Sequence, residues 1–191
     1  MMRINTRVSK MNFPPHIHLT DHQQQQIAQL AQRSELRKGD YLIQLGELVR
    51  GISYVESGCL RLGSKEAETA ITLHFFTEGN WVTDLESLFA QAPAQCAVDA
   101  IEPTVVQTLS LQSIHYLLDL DPGFKTLHGL LADSVVPVSQ WRLRQRLTPL
   151  ERYQQLLQEH PSWLNRFKLS DIASLLGMTP ETLSRVRAKI S

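Results

Sequence analysis

The sequence predicts an α+β fold in three parts: an N-terminal β jelly roll, a long helix, and a C-terminal all-α helix-turn-helix. Three observations predict it. Six short strand-like runs lie between Tyr41 and Ser110, and glycines at 39, 46, 51, 58, 63 and 79 punctuate the first of them. A heptad-like row then runs from Leu127 to Trp141. Near the end, Ala173, Gly177 and Leu183 fall at the spacing that two steeply crossed short helices need. The expected boundaries are 1–120 for the jelly roll with an N-terminal helix, 121–147 for the long helix and 148–191 for the helix-turn-helix.

Length and composition narrow the class. A chain of 191 residues with 42% hydrophobic and 20% charged residues buries a full core and has ordinary globular composition. It has no apolar run of about 18 residues, so no membrane span is expected. The opening "MMRINTRVSKMNF" lacks an apolar signal region, which points to the cytoplasm. Two cysteines at unrelated spacing, Cys59 and Cys96, are too few for a disulfide framework or a four-ligand metal or iron–sulfur site. Net charge is +0 overall, yet nine Lys/Arg stand against four Asp/Glu from Trp141 onward, a local excess of +5. Only the C-terminal part is therefore expected to face a polyanion.

Each element follows from its pattern. "TDHQQQQIAQLAQRSEL" reads as a helix capped by Thr20 or Asp21, with Ile27, Leu30 and Ala31 as its stripe. The strand runs are Tyr41–Gln44, Ile52–Glu56, Cys59–Leu62, Ile71–Phe76, Gln95–Ala100 and Val105–Ser110, and alternation in "YLIQL" and "ISYVE" predicts one wet and one dry face. Leu127, Leu131, Ser134, Val138 and Trp141 form a seam on a helix over about 123–147, and a second copy of the chain is its simplest partner. Pro137 predicts a kink or break near 133–137, since an interior proline costs about 3 kcal/mol. Leu150, Tyr153, Leu156 and Leu157 then share one face of a further helix.

The terminal motif carries the functional expectation. Gly177 suits the tight turn, Ile172, Leu176, Leu183 and Val186 fill the wedge behind it, and Ser170 is expected to cap the first helix. Thr179 caps the second, with Pro180 at its first position, and that helix is expected to reach Ile190. Its outward residues are Glu181, Thr182, Ser184, Arg185 and Lys189, with Thr179 at the cap. Arginine grips guanine O6 and N7, glutamate accepts from cytosine N4, and serine and lysine suit phosphates. This set points to double-stranded DNA.

The chain resembles the Crp/Fnr family of bacterial transcription regulators over nearly its whole length. "RKGDYLIQLGELVRGISYVESGCLRL" looks like the opening strands of that family's cyclic-nucleotide-binding-type jelly roll, "TLHFFTEGNWV" like the strand entering its effector pocket, and "DIASLLGMTPETLSRVRAKI" like its helix-turn-helix. Glu181 and Arg185 fall on the family's base-contacting positions, and Ser184 is similar to a serine that some members use. The resemblance implies a non-enzymatic, homodimeric regulator of transcription, with RNA polymerase as a further candidate partner.

Departures from the family set further expectations. Its phosphate-binding arginine falls on Ala94 or Gln95 here, and no arginine occurs between Arg61 and Arg142. A buried phosphate needs a paired cation, so cyclic AMP is not expected to bind in the usual mode, and no cofactor is predicted. Trp81, Val82, Leu85, Leu88 and Phe89, with Gln95 and Cys96 beside them, are the candidate effector pocket, suited to a small apolar molecule or filled by the protein itself. His74 stands alone, and the histidines of "HIHLTDH" do not continue into the ligand pattern of a metal-binding cupin. No residues remain after the recognition helix for the family's two-stranded wing, which predicts weaker, strongly salt-dependent DNA binding. The competing expectation is a module of the same fold that binds an effector or a protein and has lost sequence-specific DNA reading.

Overall fold

The computed structural model describes residues 11–64, 71–133, 141 and 143–190, with the backbone alone at 131–133. The first helix, α1 (Asp21–Leu30), starts at a capping box in which the Thr20 hydroxyl accepts from the Gln23 amide and the Gln23 side chain answers to the Thr20 amide. It ends at Ala31, and β1 (Gln32–Leu36) begins at once. The helical reading through "QRSEL" is thereby corrected. This segment pairs in unbroken antiparallel register with β8 (Thr104–Ser110), from Gln32 opposite Thr108 to Leu36 opposite Thr104. Pairing with a strand some 70 residues away outweighs a local helical pattern.

The other strands are β2 (Tyr41–Ile43), β3 (Gly51–Ser57), β4 (Leu60–Ser64), β5 (Ile71–Phe76), β6 (Trp81–Val82) and β7 (Ala97–Ala100). They form two four-stranded sheets, ordered β1-β8-β3-β6 and β2-β7-β4-β5, which make the β sandwich that the sequence predicts. Each strand was expected to have one wet face, and β3 does not: Ile52, Ser53, Tyr54 and Val55 are all buried. Ile52 and Tyr54 enter a cluster with Ile27 of α1, Leu117 and Phe124, whereas Ser53 and Val55 point to the opposite face. There the Ser53 and Thr108 hydroxyls share a hydrogen bond of 2.8 Å, so the buried polar groups are satisfied.

Between β6 and β7 lies α2 (Leu85–Ala90), and after β8 the chain enters α3 (Leu111–Leu120), capped by Ser110, then a 3₁₀ helix (Pro122–Leu127) and α4 (His128–Asp133). The helix expected from about 123 therefore opens as a tighter 3₁₀ turn. Asp121 caps that turn, with Pro122 at its first position. Leu127, expected on the intermolecular seam, is 5% exposed and committed to the core of its own jelly roll. Trp141 is half-buried; the side chain of Leu131, and Ser134, Pro137 and Val138, lie outside the described residues.

The described residues divide into two compact units. The first is the jelly roll through Leu62 and from Phe75 to α4. The second joins the C-terminal residues to the tips of β4 and β5, up to His74. It contains α5 (Pro149–Glu159), α6 (Trp163–Arg166), α7 (Leu169–Leu175) and α8 (Pro180–Ala188). A second capping box, Thr148 with Glu151, starts α5, whose Tyr153 and Leu156 are buried while Leu150 is exposed.

Candidate nucleic-acid interface

The joint between α7 and α8 is built from a few backbone bonds. Gly177 takes a φ of +61°, its N–H donates to Ser174 O at 3.0 Å, and the Met178 N–H donates to Ala173 O at 2.9 Å. These two bonds close a Schellman turn, which favours glycine at its left-handed position. The Thr179 hydroxyl then accepts from the Thr182 amide at 3.3 Å, and Pro180 opens α8. Ala173, fully buried, lets the two helices approach; Leu183 and Val186 of α8 are buried with Ile172 and Leu176. The expected cap at Ser170 is corrected: Lys168 occupies that position with no side-chain bond, and Ser170 is exposed in the first turn. A contact that sequence reasoning missed ties α7 down, for the Thr72 amide on β5 donates to Ser174 Oγ at 2.9 Å.

With one face of α8 sealed, the other is open. Thr179, Glu181, Ser184, Arg185 and Lys189 are exposed, and Thr182 is half-buried beneath them. Glu181 and Arg185 stand one helical turn apart. The Glu181 carboxyl is held below the usual carboxylate range, first by the amide at the helix start, then by the Thr179 hydroxyl, with Arg185 adding attraction. An ionised acceptor and a guanidinium donor thus sit side by side on one exposed surface. Arg166, Lys168 and Arg187 are exposed in the same unit, and only the charge excess of the C-terminal part hinted at them.

The candidate effector residues do not converge on one cavity. Trp81 packs in the core against Phe13 and Tyr54, with ring centroids 5.5 and 5.2 Å away, and its indole N–H donates to Asn12 O. Val82 is buried on β6 beside Ser53. On α2 (Leu85–Ala90), Leu85 is half-buried, Leu88 is buried and Phe89 is 64% exposed; Gln95 is exposed and Cys96 half-buried. An apolar void lined by Ile52, Leu109, Ile114, Leu118 and Leu127 holds only about 20 Å³, room for a water molecule and far too little for an effector molecule. Among the described residues no group of three or more metal-ligating side chains occurs.

Several polar groups around α2 are matched within the fold. Asp84 caps the helix by accepting from the Ser87 amide at 3.0 Å, and Ser87 Oγ accepts from the Val49 amide at 2.9 Å. The Ala94 amide donates to Glu47 O, and the Gly46 amide donates to Ala94 O, both at 2.9 Å. Arg61 is held by Asp99 through two bonds of 2.9 and 3.0 Å. Asp99 lies opposite Tyr41, which is 49% exposed, so this pair belongs to the outward side of its sheet.

Residues 33–121 match the cyclic nucleotide-binding domain family. No curated protein matches the chain. Among solved structures, a CooA mutant from Carboxydothermus hydrogenoformans is 14% identical, covers 97% of this chain and 86% of its own, and has a TM-score of 0.67. The c-di-GMP responsive global regulator CLP of Xanthomonas campestris is 16% identical, with 90% and 91% coverage and a TM-score of 0.66. FixK2 from Bradyrhizobium japonicum is 20% identical, with 84% coverage of both chains and a TM-score of 0.64. At these identities the likeness is one of fold, and it extends beyond the β sandwich to the C-terminal helices. The start of α2 carries the carboxylate of Asp84, no cation lies on α2 or in residues 91–96, and Arg61 is already paired with Asp99; the cation beside α2 is Arg50, which lines a cavity with Leu88 and Gln91.

Proposed function

We propose that this protein is a homodimeric, DNA-binding transcription regulator of the Crp/Fnr type that works without cyclic AMP. The observation that carries the reading is the division of α8: Leu183 and Val186 seal it to α7, while Glu181, Ser184, Arg185 and Lys189 face outward from a properly capped start. That is the arrangement a recognition helix needs to enter a major groove. Residues 1–120 scaffold or sense, 121–147 pair two copies through Leu131, Ser134, Val138 and Trp141, and 148–191 read DNA. Two copies would address half-sites about one helical turn, 34 Å, apart. In this reading the chain acts in the cytoplasm with RNA polymerase as a further partner and has no catalytic role; among the described residues no helix is long and apolar enough to cross a membrane.

The decisive experiment is selection from random duplex with the whole protein. The expected result is enrichment of a two-fold-symmetric site whose binding weakens when Arg185 becomes alanine. A pool that stays random, or an Arg185→Ala protein that binds the winner as tightly as the original, would defeat the reading. Neutral overall charge supports a second reading, a protein-interaction module of this fold. It predicts unchanged behaviour when Glu181 and Arg185 are both replaced.

A further inference from the structure

One cation of the C-terminal unit is not on the surface that reads DNA. Arg152 projects from the first turn of α5, and its Nη1 donates to the side-chain oxygen of Gln145, to Leu176 O and to Gly177 O. The two carbonyls belong to the end of α7 and to the turn itself, where a helix presents unpaired oxygens and partial negative charge. Among the described residues Arg152 has no carboxylate partner, so these oxygens are what hold it.

Gln145 connects this node to the segment before α5. Its amide donates to Trp141 O at 3.2 Å, and the Arg146 and Leu147 amides donate to Leu143 O and Arg144 O. Residues 143–147 therefore form a helical turn whose amide side chain, Gln145, meets Arg152. The Gln145 amide also lies where a side chain at Gly177 would stand. The node is only partly satisfied, because Arg152 Nε, Gln145 Nε2 and Trp141 Nε1 are buried without acceptors among the described residues.

Resting on the DNA-binding reading above, we infer that Arg152 is a positioning residue: it fixes the pose of the recognition helix by tying the α7–α8 turn to residues 143–147, so that a shift of that segment alters DNA affinity with no DNA-contacting side chain changed. The link is a single guanidinium nitrogen, Nη1, which reaches a side-chain oxygen and two turn carbonyls together; a lysine ammonium, on a shorter stem, offers donors to only part of that set.

The test uses the full-length protein with Arg152→Gln, Arg152→Lys and Gln145→Ala. Hydrogen exchange at the amides of 177–186, without DNA, is expected to quicken at least about tenfold in Arg152→Gln and severalfold in Gln145→Ala, with far-UV circular dichroism unchanged. On the duplex selected by the original protein, Arg152→Gln is expected to bind at least about tenfold more weakly and Gln145→Ala about three- to tenfold, while Arg152→Lys recovers exchange protection and affinity together and in part. Original exchange rates and affinity in Gln145→Ala overturn the proposal, and so does an Arg152→Gln or Arg152→Lys protein whose exchange at 177–186 quickens while its affinity for the duplex stays at the original value. If Arg152→Gln does not fold, Gln145→Ala and Arg152→Lys decide. If the original protein selects no duplex, the DNA reading fails by itself, and exchange at 177–186 still decides whether Arg152 holds the turn.

Discussion

The imidazole of His74 meets the indole of Trp163 edge-on, with ring centroids 5.8 Å apart and planes at 75°. His160 lies flat on the same indole at 3.8 Å and 4°, and Phe167 completes the group. Arg144, itself near Glu159 at 3.7 Å, faces both imidazoles. Burial, then Arg144, then His160 push the His74 pKa down to about 3. In the unfolded chain His74 binds a proton near its ordinary value of 6.5. A base with a depressed folded pKa contributes stability above the unfolded value and loses it as pH falls. The C-terminal unit is therefore expected to weaken between pH 6.5 and about 3, by up to about 1.4 kcal/mol per pH unit from this group. Urea titrations followed by tryptophan fluorescence at pH 7.5 and 5 would show the loss. His74→Phe should flatten the dependence, and equal dependence in both proteins would count against His74 as its source.

Arg185 and Lys189 are expected to differ in kind. Replacing Arg185 by alanine should cost about 1–3 kcal/mol on the preferred duplex and relax the preference at one base pair. Replacing Lys189 should weaken all sequences alike and reduce the salt slope by about one. Binding isotherms over a salt series on preferred and scrambled duplexes separate the two.

Gly177→Ala combines two penalties. It places a side chain at a φ of +61° and drives Cβ into the Gln145 side chain. A loss of more than about 1 kcal/mol is expected, and adding Gln145→Gly should return the steric share but not the backbone share. A double-mutant cycle in denaturant measures the recovery; strictly additive losses would contradict the contact.

At the jelly roll, millimolar cyclic AMP is expected to leave Tm unchanged, because a ligand stabilises only what it binds. Arg61→Ala should instead lower stability by about 1–3 kcal/mol by leaving Asp99 partly buried without the partner that donates two bonds to it. A rise in Tm with the nucleotide would reveal a phosphate site and overturn this expectation.

Much of this architecture was legible in residues whose local chemistry and tertiary fate agree. Gly177, Thr179 and Pro180 specify a turn, a cap and a first helical position that no distant contact needs to enforce, and the structure keeps all three. The glycine-spaced runs likewise became strands. Gln32–Leu36 was misread because its strand character exists only beside β8. The amphipathic decamer α3 passed unmarked between two stronger patterns, and the pairing of Thr72 with Ser174 spans about a hundred residues with no local signature. Ser170 looked like a cap by type, yet the chain enters α7 two residues earlier. The effector cluster read as a unit because Trp81 through Phe89 are close in sequence. A two-residue strand followed by a helix then sends Trp81 and Phe89 to different environments.

The segment before β1 has a practical bearing on how the protein can be divided. Met11, Ile17, Ile27 and Ala31 belong to the cluster that also holds Ile52, Tyr54 and Leu117, and the Gln23 side chain reaches across to Asp121. All five precede residue 33, where the family match begins. A fragment cut to that match would bare a greasy flank on its outer sheet and leave Asp121 without the amide of Gln23. Such a fragment should precipitate or self-associate when expressed alone, so trimming for crystallography or ligand screening has to begin upstream of Met11.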